Sequence, residues 1–499
     1  MKRKQVKARV LVVTPEITYL PRGMGNMANY LKAKAGGLAD VSASLVTVLF
    51  EKGMDVHVAL PHYQRMFSVN VGRLISDELR IYKNKIPGDR IHLAEDRCFY
   101  YRDAVYSYNQ PDENIKIALA FQREVINNII PTVKPDLIHC NDWMTGLIPA
   151  AAKSLGIPSV FTVHNIHTIR TTMAHIEDMG IDAYSFWEHL FFDQFPASYE
   201  DARFNKPVDF LVSGVFASDY INTVSPTFLE EIVEGKHDFI EHSLYHELRE
   251  KRAAGRAGGV LNAPDVNFHP NRDPLLPFPF DAESHVEGKA QNKAKLQKDL
   301  NLIRDPDAPI FFWPSRLDPV QKGPELLAHI LYNLTHEYPN LQVVVIANGP
   351  FQNHLYDIVR FHHLSSRVSV CDFDEKMSRL AYAASDFLFM PSRFEPCGLP
   401  QMIGPKYGTL PVAADTGGLH DTIEHIDIEK GTGNGFLFKD YSVEGLWWAI
   451  EQAMEFHSQD AKWKQNQLSR IMVEAEDRFN HLRTAESYIG IYRKVLGLS

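Results

Sequence analysis

Short apolar runs rich in β-branched residues alternate along the chain with longer amphipathic stretches, and the alternation occurs twice. Runs of four or five apolar residues suit strands buried on both faces, and the amphipathic stretches suit crossover helices. The pattern therefore predicts an α/β fold of βαβ units with parallel sheets. In the first half, strands are expected at Arg9–Val13, Val56–Ala59, Leu137–Cys140, Ser159–Val163 and Tyr220–Val224. In the second half they are expected at Ile310–Trp313, Gln342–Ile346, Val368–Cys371, Phe387–Met390 and Leu410–Ala413. Between the halves, Asn262–Pro279 carries five prolines and three asparagines with little periodicity, and reads as an interdomain connection. From about Asp460 to Leu496 the chain is charged and helical in period, with Trp463, Leu468, Ile471, Tyr488 and Tyr492 as buried faces. The expected organisation is two Rossmann-like domains, residues 1–265 and 266–460, followed by a helical segment, 461–499. Parallel sheets bind ligands at the carboxyl ends of their strands, so two such domains are expected to hold theirs in the cleft between them.

Composition narrows the class. Of 499 residues 45% are hydrophobic and 23% charged, which excludes disorder as the main state. A net charge of −10 repels polyanions and excludes nucleic acid as a partner, while leaving room for a local cationic pocket. Cys98, Cys140, Cys371 and Cys397 stand far apart with no Cys-x-x-Cys pair, which argues against a zinc ribbon or a disulfide framework and suits a reducing cytosol. The basic run Met1–Lys7 before Val10–Val13 is only superficially like a signal peptide. Pro15 and Glu16 interrupt the apolar part, and no small-residue cleavage site follows. No run approaches the ~20 apolar residues of a membrane span. The expectation is a soluble cytoplasmic protein without a membrane partner.

Four strand-end motifs carry candidate chemistry. After the first strand, Lys34-Ala35-Gly36-Gly37-Leu38-Ala39-Asp40-Val41 opens an amphipathic helix that runs to about Lys52. Adjacent glycines before a helix let backbone N–H groups approach an anion, for which phosphate is the natural occupant; a plain turn carries equal weight. After Ile310–Trp313 come Arg316 and Lys322, six positions apart, which can reach one diphosphate as a bidentate donor and a point charge, or remain solvated surface cations. After Phe387–Met390 comes Ser392-Arg393-Phe394-Glu395-Pro396-Cys397-Gly398-Leu399-Pro400, a tight elbow that would project Glu395 toward the ligand. Thr416-Gly417-Gly418-Leu419 then repeats the Gly-Gly design after Leu410–Ala413. In the first half, His139-Cys140-Asn141-Asp142-Trp143 and Thr162-Val163-His164-Asn165 end strands where a His and an Asp can bind sugar hydroxyls or join a supporting polar network. Two patterns bear on metals. His242-x-x-x-His246 lacks the Glu of a zincin, and Asp372-Phe373-Asp374 reads more readily as a polar loop start than as a Mg²⁺ site. No metal or other cofactor is expected.

In order along residues 9 to 440, these motifs, with Thr223-Val224-Ser225-Pro226 and Gly259-Val260-Leu261-Asn262, resemble the bacterial glycogen synthases and plant starch synthases. These are retaining glucosyltransferases of the two-domain GT-B fold. The resemblance implies that Lys34, Gly36 and Gly37 form a donor-binding loop and that Arg316 and Lys322 neutralise the diphosphate. It further implies that His164 contacts the transferred glucose near its 6-hydroxyl, with Asp142, Asn165 and Asn262 lining the same pocket. Glu395 would hold sugar hydroxyls, while the backbone of Cys397, Gly398, Leu399, Thr416, Gly417 and Gly418 completes the site. It also implies a C-terminal helix crossing back to the first domain, a nucleotide sugar and an α-glucan as partners, and catalysis without metal. Several features depart from the family pattern: the long loop Ile17–Lys32, the one extra residue between Arg316 and Lys322, Ala263, Pro400, Ala413-Ala414, and Ile169–Asn205 with Phe186-Trp187 and Phe191-Phe192, readable as a homo-oligomer contact, a lid or core. The expected activity is transfer of glucose from ADP-glucose to the non-reducing end of an α-1,4-glucan. The alternatives are another nucleotide sugar such as UDP-glucose, a small acceptor, or a non-catalytic carbohydrate-binding paralogue. The joint presence of Lys34, His164, Arg316, Lys322 and Glu395 argues against the last.

Overall fold

The computed structural model describes residues 8–25, 28, 31–67, 90–107 and 110–498. The basic run Met1–Lys7 and parts of the Ile17–Lys32 loop lie outside the described residues. The chain divides into two units, Met1–Asn262 with His481–Ser499, and Ala263–Asn480.

The first unit is built on β1 (Arg9–Val13), β2 (Asp55–Pro61), β3 (Ile91–Ala94), β4 (Leu137–Asn141), β5 (Ser159–Val163), β6 (Arg170–Thr172), β7 (Pro207–Asp209), β8 (Tyr220–Thr223) and β9 (Ala257–Gly259). Seven of them form a parallel sheet in the order β3-β2-β1-β4-β5-β8-β9, and β6 and β7 pair antiparallel beside it. Val10 to Val13 are fully buried, as a strand covered on both faces requires. In the second unit β10 (Ile310–Trp313), β11 (Gln342–Ile346), β12 (Val368–Cys371), β13 (Phe387–Met390), β14 (Leu410–Ala414) and β15 (Phe436–Phe438) form a parallel sheet in the order β12-β11-β10-β13-β14-β15. Its alternating side chains sort into two cores. Phe311, Trp313, Val343 and Val345 pack on one face with Leu327, Leu331 and Leu334 of the helix Pro324–Glu337. Phe312, Val344 and Ile346 pack on the other with Leu296 of His285–Asp299 and Leu380 of Glu375–Ala384.

In both sheets the winding direction reverses beside the first strand, between β1 and β4 in one and between β10 and β13 in the other. Such switch points splay consecutive connections apart and open a crevice at the strands' carboxyl ends. The motifs after β1, β4, β10 and β13 all fall there.

All ten expected strands form. Those absent from the expectation, β3, β6, β7, β9 and β15, are three or four residues long, too short to show a period. The two ends of the expected second domain lie elsewhere. The divide falls at Asn262/Ala263, because the proline-rich segment beyond it is docked on the second unit and is no loose linker. Asp273 accepts from Tyr407 Oη at 2.6 Å and Arg379 Nη1 at 3.2 Å, and the Arg379 guanidinium lies 3.3 Å from the centre of the Phe268 ring. The charged tail is split. The helix Ala461–Arg478 buries Ile471 and Met472 in the second unit, whereas His481–Val495 buries Tyr488 and Tyr492 in the first. There Tyr492 Oη bonds His139 Nδ1 at 2.8 Å, and Asn222 Nδ2 donates to Tyr488 Oη at 2.8 Å. In the divergent aromatic stretch Phe186, Leu190 and Phe192 are core, while Tyr184, Phe195 and Phe204 are exposed. Among the described residues no helix is long and apolar enough to cross a membrane.

Candidate active site

At the end of β1, Glu16 turns back into the protein, where its Oε2 accepts from the backbone N–H groups of Ala35 (2.6 Å) and Gly36 (3.0 Å). Two of the N–H groups expected to meet a phosphate are thus held by a carboxylate of the chain itself. Burial pushes the Glu16 carboxyl above its ordinary range, against the pull of those two donors. Lys34 Nζ pairs with Asp40 Oδ2 at 2.7 Å in the first turn of the helix Gly37–Glu51, and Thr18 Oγ1 donates to Asp40 Oδ1 at 2.6 Å. Gly36 has an extended backbone (φ −153°), and a Cβ there would meet nothing within 4 Å.

At the end of β4, Asp142 adopts a positive φ of 63°, a conformation that costs a non-glycine residue on the order of 1 kcal/mol or more. The carboxylate is buried, and its Oδ1 has no hydrogen-bond partner among the described residues. Burial pushes its pKa up to about 7, opposed by the backbone N–H groups of Trp143, Asn165 and His164 and reinforced by the nearby Glu16. At the end of β5, His164 Nε2 lies 3.0 Å from Asn141 Oδ1, and burial holds the imidazole down at about 3, so it is neutral at physiological pH. Asn165 turns its Oδ1 onto the N–H of Ile166 at 2.7 Å. Beyond β9, Asn262 is buried with an unpartnered Oδ1. His139, by contrast, is wholly core, bonded to Tyr492 and to Thr162 Oγ1 at 2.8 Å each.

In the second unit, Arg316 is exposed and has no hydrogen bond or ion pair among the described residues. Lys322 Nζ and Glu395 Oε2 form a short, largely buried ion pair, and Ser392 Oγ donates to the same oxygen at 3.1 Å. Glu395 is therefore held within the unit, bound to the very lysine expected to act beside it. The Arg316–Gly323 and Ser392–Leu399 loops are laced together: Arg393 N donates to Gln321 O at 2.9 Å, and the left-handed Gly323 (φ 69°) lies where a Cβ would be 2.1 Å from Pro391 O. Gly418 N donates to Glu395 O at 2.9 Å, and a Cβ on Gly418 would be 2.1 Å from Cys397 O. Gln401 Nε2 ties the same elbow through Cys397 O (2.8 Å) and Gly398 O (3.2 Å), with Gly398 at φ 74°.

The two metal patterns take other roles. Asp374 caps the helix Glu375–Ala384 by accepting from Met377 N at 2.7 Å, and Asp372 accepts from Gln352 Nε2 at 2.9 Å. His242 and His246 bond each other on an exposed helix face, Nε2 to Nε2 at 3.2 Å. Among the described residues no group of three or more His, Cys, Asp or Glu is placed to hold a metal ion.

Known proteins carry the same layout. The glycogen synthase of Moorella thermoacetica is 32% identical over 98% of this chain and 97% of its own length. The chain belongs to the glycogen synthase family. The glycogen synthase of Exiguobacterium sibiricum is also 32% identical, over 93% of this chain and 96% of its own. The family description "Starch synthase catalytic domain" matches residues 9–248, and "Glycosyl transferases group 1" matches 297–470. Among solved structures, the catalytic domain of Arabidopsis thaliana starch synthase IV is similar with a TM-score of 0.79, at 24% identity and with 98% of this chain and all of that one covered. The protein is accordingly a glycogen/starch synthase-type glucosyltransferase with a GT-B-like pair of parallel-sheet α/β units.

Two residues of this synthase's strand ends escaped the sequence reading. Glu16 registered only as a break in an apolar run, although a carboxylate directly after a strand at the switch point was a signal. Asn141 stood inside a quoted motif without a role, and its amide turns out to hold His164.

Proposed function

We propose that the enzyme transfers glucose from ADP-glucose to the non-reducing end of an α-1,4-glucan with retention of configuration. The observation that carries this reading is the cation set at the β10/β13 switch point, where the unpaired Arg316 accompanies Lys322 in a unit whose net surroundings are acidic. A diphosphate leaving group needs such charge. Arg316 binds its oxygens as a fork, and Lys322 transfers part of its interaction from Glu395 to the phosphate as negative charge grows. The backbone of Cys397 to Leu399 and Thr416 to Gly418 supports the same group.

In the first unit, His164, Asp142 and Asn262 take hydroxyls of the glucosyl group, supported by their unfilled acceptor atoms. Lys34, Gly36, Gly37 and Asn165 border the donor. Glu395, the carboxylate paired with Lys322, is engaged by that lysine and by Ser392 and is not offered as a nucleophile. The transfer is therefore written as front-face substitution. The bond from C1 to the diphosphate oxygen breaks, the acceptor oxygen bonds C1 on the same side, and its proton passes to the departing phosphate.

ADP is favoured as the base-bearing product by the starch synthase IV relative, which was solved with ADP and acarbose bound. The four free thiols suit the cytoplasm. Purified protein is to be supplied with ADP-glucose or UDP-glucose, with and without maltooligosaccharide, while nucleoside diphosphate and chain length are followed. ADP release coupled to lengthening is expected, and diphosphate release only with an unrelated acceptor would overturn the assignment.

A further inference from the structure

The side chain of His164 is held through a relay across three neighbouring strands. Val13 at the end of β1 offers a carbonyl oxygen, which can only accept, and Asn141 Nδ2 donates to it at 3.1 Å. That bond fixes the orientation of the Asn141 amide and leaves Oδ1, a pure acceptor, facing His164 Nε2 at 3.0 Å. The ring nitrogen opposite an acceptor must carry a hydrogen. Asn141 is buried and lies on β4 between β1 and β5, so the amide cannot flip without setting its oxygen against the Val13 carbonyl oxygen. His164 is neutral, so a hydrogen on Nε2 leaves a lone pair on Nδ1, which has no partner among the described residues.

We propose that Asn141 is a positioning residue that locks His164 in the Nε2–H tautomer, so that Nδ1 is presented as a hydrogen-bond acceptor for a sugar hydroxyl. The inference rests on the reading of His164 as the group that meets the 6-hydroxyl of the transferred glucose. It adds a polarity to that contact: the hydroxyl donates and the imidazole accepts. The unpartnered Oδ1 of Asp142, on the residue following Asn141, is a second acceptor of the same kind. Acceptors suit hydroxyl groups and repel a carboxylate or phosphate at the same place on the sugar.

The test pairs a spectrum with kinetics. In full-length enzyme labelled with ¹⁵N-histidine, the His164 resonances, assigned by their loss in His164→Gln, are expected to show a neutral ring with the hydrogen on Nε2. Asn141→Leu, or Asn141→Ser if the former does not fold, is expected to give a mixture of tautomers. An Nδ1–H ring or an imidazolium in the unaltered enzyme overturns the proposal whatever the variants do, and so does an unchanged Nε2–H ring in a folded Asn141 variant.

Kinetically, kcat/KM is to be compared between ADP-glucose and its 6-deoxy analogue. The unaltered enzyme is expected to favour ADP-glucose by roughly 10- to 100-fold, and Asn141→Leu to lose most of that preference, because the acceptor is no longer fixed. An equal loss on both donors would mark Asn141 as merely structural and overturn the proposal. If the unaltered enzyme does not discriminate between the donors, the reading of His164 fails, and the spectrum still decides the tautomer separately.

Discussion

The two switch points have the same topology and opposite chemistry. In the first unit, the segments after β4, β5 and β9 present neutral or reluctant acceptors: an Asp142 held near pH 7, a neutral His164, and an Asn262 oxygen with no partner among the described residues. Where β10 and β13 part, the strand ends present among their cations Arg316, without a partner among the described residues, and Lys322, resting on a carboxylate. Unfilled buried acceptors are costly and persist where a ligand completes them, and they suit hydroxyl donors. Cations backed by a carboxylate suit phosphates, because the carboxylate keeps the lysine from being a bare buried charge until the ligand arrives. The two chemistries are the two that the proposed donor, a nucleotide sugar, would present: hydroxyls on its sugar and charge on its diphosphate.

The largest expected effects test the cationic side. Arg316→Ala and Lys322→Ala are each expected to lower turnover by roughly 10²- to 10³-fold, measured as ADP release with saturating glucan. They should differ in stability. Arg316 is exposed and bonds nothing among the described residues, so its loss should leave the melting temperature unchanged. Lys322→Ala strands Glu395, which is 4% exposed, and should cost about 3 kcal/mol, a fall of several degrees. Adding Glu395→Ala to Lys322→Ala should restore most of that stability without restoring turnover. Equal melting curves for all three would show that the lysine and glutamate do not depend on each other.

On the acceptor side, Asp142→Asn is expected to lower kcat/KM by roughly 10-fold at pH 8 and to abolish its acidic limb. The unaltered enzyme should gain activity as pH rises through about 7, where the carboxylate ionises and can accept a hydroxyl. Stability runs the other way. The folded-state pKa lies above the unfolded value of 3.8, so the folded protein binds the extra proton between the two values and loses stability as pH rises toward 7. Asp142→Asn should therefore gain stability relative to the unaltered enzyme at pH 8 and much less at pH 4. Denaturant midpoints at the two pH values measure this, and a midpoint difference independent of pH would remove Asp142 from the titration.

The Gly-Gly turns separate the two regions more finely. Both open a helix and look alike in sequence, yet a Cβ on Gly418, the second glycine of its pair, would press into the Cys397 carbonyl, while one on Gly36, the first of its pair, would enter open space. Gly418→Ala should destabilise the second unit by about 2 kcal/mol and loosen the elbow that carries Glu395. Gly36→Ala should leave thermal stability unchanged or raise it by about 0.5 kcal/mol. Differential scanning calorimetry of the two variants would erase the distinction if both fell equally.

What the sequence made legible follows from range. The long central strands announced themselves because burial on both faces leaves uninterrupted apolar runs, whereas Ala257–Gly259 and Phe436–Phe438 offer three residues each and no pattern. Residue identities at the site were legible and their partners were not. Nothing local says that Glu16 will fold back some twenty positions onto Ala35 and Gly36, or that Lys322 will rest on Glu395, 73 positions away. The tail read as one charged helical segment because both of its helices are charged and amphipathic. Only tertiary packing, Met472 in one core and Tyr492 in the other, divides it at Asn480.

The contrast extends to two strand-end acids. Asp142 and Asp374 both follow the carboxyl end of a parallel strand, where a ligand-binding carboxylate is ordinarily sought. Asp142 is buried with an oxygen left over; Asp374 spends its carboxylate on Met377 N–H at the start of a helix and faces solvent beyond it. Removing a helix cap costs typically about 1 kcal/mol. Asp374→Ala should lower the melting temperature by a few degrees and leave turnover, and any response of turnover to added Mg²⁺, as in the unaltered enzyme. A loss of activity comparable with that of Asp142→Asn would mean that the strand end, and not the unfilled acceptor, marks the functional acid.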